Sequence, residues 1–202
     1  HHHTHQKARR EPASFWAGCG AVCVETFREV GGFDAERFPR PMIEDIELGS
    51  RMGKHGKTRL DPDLNVTHLK RWTLKSVVTT DIFCRAVPWT RLIKESGELP
   101  DDLNTKLSAR IAALVAPLCL VATAAIPVLA WFAPMIAALM LVPILLAFVL
   151  NLDLVSFFAR KRGPLFALKG FYFHQIHLIY SAATYVLVSL FGKTDRKEPV
   201  TA

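Results

Sequence analysis

Residues 111–152 read IAALVAPLCLVATAAIPVLAWFAPMIAALMLVPILLAFVLNL, a run bounded by Arg110 and Asp153 with no charged residue inside it. At ~1.5 Å per residue, such a run covers about twice the ~30 Å hydrocarbon thickness of a bilayer. Two transmembrane helices are therefore expected, at about 111–130 and 135–154, with Trp131-Phe132-Ala133-Pro134 as an uncharged turn between them. The competing reading is a buried helical hairpin in a soluble protein. Soluble helices nearly always keep a polar face, and these show none.

A third run, 171–191, is long enough to span but opens on a mixture that includes His174, Gln175 and His177. Its start is expected at the headgroup level, or with the histidines hydrogen-bonded to neighbouring helices; a proton relay is the rarer alternative. Arg160, Lys161, Arg162 and Lys169 lie between the second and third runs. The positive-inside rule puts that loop, and with it the N-terminal region, in the cytoplasm. The same count leaves a polar tail, 193–202, outside the membrane with Lys193, Arg196 and Lys197. That placement conflicts with the rule unless the third segment stops short of a full crossing or the earlier loop dominates.

Half of the residues are hydrophobic and the formal charge is +7. The basic residues gather around Lys70 to Lys75 and at the membrane ends, which points to anionic lipid headgroups and sugar-nucleotide phosphates rather than nucleic acid. Cys19, Cys23, Cys84 and Cys119 form no CxxC pair, so free thiols in a reducing compartment are expected. The chain opens on His1-His2-His3-Thr4-His5 without an initiator Met or signal-peptide pattern, which is expected of a fragment. No fixed structure is expected to hold those histidines around zinc, and no metal site is assigned within the chain.

The polar part begins with Phe15-Trp16-Ala17-Gly18-Cys19-Gly20, small residues flanked by aromatics, suited to close backbone approach or to a buried strand. Residues 24–30 carry a short helical pattern stopped by Gly31-Gly32, and Pro39-Arg40-Pro41 leads into a helix over about 43–54. That helix opens on Glu44-Asp45. Carboxylates in a first turn are favoured by the helix dipole, so capping alone accounts for them. A general base for a sugar hydroxyl needs an ionised carboxylate held at a site edge, and a helix start after a Pro-rich loop presents one.

Residues 58–60 and 64–66 are expected as short strands around Asp61-Pro62-Asp63. The Pro at its centre favours a turn there over an Asp-x-Asp metal motif. His68, Arg71 and Trp72 follow: Arg supplies a fork of donors for a diphosphate and Trp a flat face for a sugar ring, while interface anchoring explains the same residue types. Leu74, Val77, Val78, Ile82, Phe83, Val87 and Trp89 recur at helical spacing, as in an amphipathic helix on the membrane surface that bends near Pro88.

The ordered set resembles the processive and lipid-linked members of family 2 of the inverting glycosyltransferases, the group containing cellulose and hyaluronan synthases. Phe15–Gly20 followed by Val30-Gly31-Gly32-Phe33-Asp34 is similar to the family's acceptor-side loop and next helix, Ile43-Glu44-Asp45 to its acidic motif, and His68-x-x-Arg71-Trp72 to its Gln-x-x-Arg-Trp motif, with His in place of Gln. The resemblance implies catalytic Asp45, as general base, beside Glu44. It implies substrate contacts from Cys19, Gly20, His68, Arg71 and Trp72.

The same resemblance implies an α/β partial domain, the C-terminal half of a GT-A fold, over 1–72. An interfacial helix and linker would follow over 73–106, then a transmembrane region of about three helices over 107–192. It implies a multi-pass protein of the bacterial inner membrane with a cytoplasmic catalytic part. A nucleoside-diphosphate sugar is then the donor and a lipid-linked or glycan molecule the acceptor. A divalent metal, Mg or Mn, is expected in the full-length enzyme, its ligands mostly outside this chain. The sugar-nucleotide-binding strands should precede residue 1, so the chain alone is expected to be inactive. A non-catalytic membrane scaffold or subunit is the alternative, and a transporter a weaker third, since the spans offer little charge for coupling.

Overall fold

The computed structural model describes residues 15–61, 63–64, 66–67, 69, 71–97 and 106–192. These residues are 72% helical, and no strand occurs among them. The expected α/β partial domain is therefore not what forms. The described residues of 58–60 and 64–66 run as coil, and Asp63 N–H and Leu64 N–H turn back to the Asp61 side chain and carbonyl at 3.0 and 3.4 Å. A three-residue run with β propensity becomes a strand only when a partner takes its backbone groups, and here the local turn takes some of them.

Two compact units divide the chain, one of 1–103 with 184–202 and one of 104–183. In the first, α1 (Val24–Glu29) ends where Gly31 and Gly32 take φ of 80° and 68°. Gly32 N–H reaches the Phe27 carbonyl at 2.9 Å there. A side chain at either glycine would be strained in that left-handed region. Helix α2 (Glu44–Met52) follows; Leu48 and Met52 on it, Ile43 at its start and Phe38 before it are buried.

Helix α3 (Leu74–Thr79) starts with Thr73 and Ser76 bonding reciprocally, side chain to backbone, in a capping box. It runs into a π-helical stretch, Thr80–Ala86, and then into α4 (Val87–Ser96). Pro88 explains the widened turn. Its ring nitrogen has no hydrogen to give the carbonyl four residues back, so the ladder shifts register and Val87 N–H goes to Ile82 five residues back. The amphipathic segment thus does not simply bend at the proline. It changes helical register in front of it. Gly97, at φ 71°, closes α4.

In the second unit α5 (Leu107–Phe132) is one continuous helix in spite of Pro117 and Pro127. After Ala133 the chain continues as α6 (Pro134–Leu139), α7 (Leu141–Leu150), α8 (Leu152–Arg162) and α9 (Pro164–Phe191), whose residues from Thr184 on belong to the first unit. Small residues seat α5: Ala112, Ala116, Cys119 and Ala122 are buried, and Cys119 packs with Ala147 of α7 and Phe171 of α9. Close backbone approach through such residues is how apolar helices associate without a polar face.

Among the described residues one helix, α5, is long and apolar enough to cross a membrane; there are two if the bent pair 134–150 and 152–162 counts as one crossing. The expected three spans are therefore corrected. The second run is broken at Met140, because Pro143 cannot donate to the Leu139 carbonyl and its ring crowds it. A further break falls at Asn151, where the axis turns by 73° and the Asn151 amide donates to the Ala147 carbonyl at 2.8 Å. The third run falls short because Tyr172, His174, Gln175, His177 and Tyr180 dilute its apolar character.

Candidate functional site

The start of α2 is set by its own side chains. Glu44 folds back, its carboxylate accepting from Met42 N–H at 2.6 Å, while Asp45 Oδ1 accepts from Ile46 N–H at 2.9 Å. Orphan amides at a helix start favour carboxylates in this way. The other oxygen of Asp45 leaves the helix. Oδ2 accepts from Ala17 N–H at 3.2 Å, which lays the loop of Phe15–Gly20 against the helix start.

That loop is seated by two glycines. A Cβ on Gly49 would lie 2.4 Å from the Phe15 backbone nitrogen, and one on Gly20 would lie 2.6 Å from the Phe15 ring. The first collision is with backbone and cannot be relieved by a rotamer change. Gly49→Ala is accordingly expected to unseat the loop, seen as faster amide exchange at Ala17 and Gly18 with little change at Leu48. Unchanged exchange at those amides would count against this packing.

Asp45 is half-buried, and burial holds its carboxyl above the ordinary carboxylate value. The amides of Ala17 and Ile46 pull the other way without cancelling that effect, and the charge on Glu44 adds to the rise. A carboxyl raised in this way is a stronger base in its ionised form, which is what proton abstraction from a hydroxyl requires.

The other residues expected at the site are placed as follows. Cys19 is half-buried and Gly20 exposed, both in the loop that Asp45 holds. His68 lies outside the described residues. Arg71 and Trp72 are exposed just ahead of α3, with the Arg85 guanidinium 5.9 Å from the Trp72 ring and Asp81 holding Arg85 at 2.8 Å. The structure thus joins the glycine loop to Asp45 and groups Trp72 with Arg85, an aromatic–cation partner that the sequence reading passed over.

Two further contacts were also missed. Glu47 and Arg51 form a two-pronged pair at 2.7 Å, and the same guanidinium donates to the carbonyls of Val30 and Gly32. Arg37 meets Glu95 of α4 at 2.5 Å. The spacing of four between Glu47 and Arg51 was a readable signal; nothing local announces Arg37–Glu95.

Among the described residues no group of three or more His, Cys, Asp or Glu is placed to hold a metal ion. Asp61 already accepts from Asp63 N–H, so this pair is a turn device. No protein-family model matches the chain, and no curated protein or solved structure is significantly similar to it.

Proposed function

We propose that the chain is the acceptor-side and membrane part of an inverting membrane glycosyltransferase, with Asp45 as general base. The observation that carries this reading is the half-buried, raised carboxylate of Asp45 held against a glycine-rich loop. Asp45 takes the proton of an acceptor hydroxyl, the oxygen forms a bond to the anomeric carbon, and the bond from that carbon to the nucleoside diphosphate breaks. Arg71 meets the departing diphosphate and Trp72 offers a ring face to a sugar, with Cys19, Gly20 and His68 completing the substrate contacts. Glu44 keeps the helix start in register.

The described residues do not fit a divalent cation. In this reading Mg or Mn belongs to the donor side, with ligands mostly outside this chain, and no step assigned to this chain passes through it. The apolar unit anchors the protein as a multi-pass protein of a bacterial inner membrane, with the polar unit cytoplasmic, where it meets a lipid-linked or glycan acceptor.

The test is transfer of labelled sugar from a panel of nucleoside-diphosphate sugars into the lipid phase of inverted vesicles carrying the full-length protein. Label in that phase is expected. Folded protein that transfers none of them overturns the reading in favour of a non-catalytic membrane subunit.

A further inference from the structure

The corner between α8 and α9 carries charge that no acidic side chain among the described residues answers. Arg160, Lys161 and Arg162 end α8, Gly163 turns the chain at φ 85°, and Lys169 follows on α9; all four cations are exposed. Asp153 is the last acidic residue before Asp195, and none of the four cations forms an ion pair among the described residues. Beside them Leu165, Phe166 and Leu168 are also exposed, at 65%, 46% and 53%.

The corner is built rather than loose. The Phe158 ring meets the Phe166 ring edge-on at 5.6 Å, and a Cβ on Gly170 would lie 2.6 Å from the Phe158 ring. The 73° turn at Asn151 sets its attitude. If 134–150 follows the bilayer normal, α8 runs close to the membrane plane. Its cations then lie at headgroup depth, with the apolar side chains of early α9 beside them.

We infer that this corner is a binding surface for anionic phospholipid headgroups, of the phosphatidylglycerol type. Phosphate oxygens meet the guanidinium and ammonium groups, and acyl chains cover Leu165, Phe166 and Leu168. A nucleic acid offers the same phosphates but nothing for those exposed apolar side chains, so a membrane surface is the partner the corner fits. The inference rests on the membrane unit alone and stands or falls independently of sugar transfer.

The experiment uses the full chain in nanodiscs of phosphatidylcholine, titrated with phosphatidylglycerol and read by lipid retention in native mass spectrometry. Preferential retention of phosphatidylglycerol is expected, weakening with salt. Each cation removed should weaken it about fivefold, from the roughly 1 kcal/mol that one basic residue gains at an anionic surface. Lys169→Gln and Arg162→Gln test single charges, and the four-fold Gln variant tests the whole surface. Arg160→Lys with Arg162→Lys should keep the preference. Equal retention of both lipids, an unchanged preference in the Gln variants, or competition by an oligonucleotide but not by anionic vesicles would overturn the inference.

Discussion

With Asp45 as the proposed general base, Asp45→Asn in the full-length protein is expected to lower sugar transfer by on the order of 10²- to 10⁴-fold, the usual contribution of a positioned general base. Binding of the nucleotide sugar should change little, because in that proposal the base acts on the acceptor. Asn leaves one acceptor oxygen where Asp45 offers two, so with that oxygen kept on Ala17 N–H the loop should stay seated while Ile46 N–H loses its side-chain acceptor. Stability runs the other way. A carboxyl raised by burial contributes to folding below the usual carboxylate pKa, and that contribution is lost as pH rises through the raised value. Above that value the ionised carboxylate costs stability, and in Asn the removal of that cost offsets the acceptor lost to Ile46 N–H, so the variant should melt close to the native temperature.

The acid limb of the pH–rate profile should lie above the ordinary carboxylate range for the same reason, with activity gained as pH rises and Asp45 ionises. Glu44→Gln gives the contrast: an amide oxygen still accepts from Met42 N–H, so only a modest loss is expected. Near-normal turnover in Asp45→Asn, or equal losses in the two variants, would sink the assignment of the base.

How much of this was legible depended on whether the deciding contact was local. Gly31-Gly32 marks the end of α1 because left-handed backbone is a property of the residue itself, and the dihedrals there are what that pair is for. The start of α2 was legible in Pro41 and the acidic pair for the same reason. The coil at the described residues of 58–60 and 64–66, where strands are expected from propensity, was not legible, because a strand needs a pairing partner distant in sequence and propensity cannot supply one. The second apolar run failed differently. Averaged hydropathy passes over Pro143 and Asn151, yet these two residues decide where the helix breaks. At the site, Glu44-Asp45 stood out as a local motif. What Asp45 touches, Ala17, lies 28 residues upstream, and the fold alone brings it there.

Arg51→Ala is expected to destabilise the polar unit by about 2–4 kcal/mol, toward the lower part of what breaking a buried ion pair costs, because the Arg51 side chain is 30% exposed. Three acceptors lose their donor at once. Glu47, 8% exposed, keeps a carboxylate with no cation beside it, and the carbonyls of Val30 and Gly32 lose the guanidinium that ties the glycine turn to α2. Lysine cannot replace the fork, since one ammonium on a flexible stem does not reach both carboxylate oxygens and two carbonyls, so Arg51→Lys should recover only part of the loss. Removing both charges, Glu47→Leu with Arg51→Met, should cost less than Arg51→Ala, because no buried charge is then stranded. Thermal melting of the four proteins reads this order directly. Equal stability of Arg51→Lys and the native protein would show that a point charge suffices and that the carbonyl contacts contribute nothing. Because α2 carries Asp45, the proposed base, the same series should track sugar transfer: loosening the clamp would move that carboxylate, and turnover should fall with melting temperature in Arg51→Ala but be largely retained in the double variant.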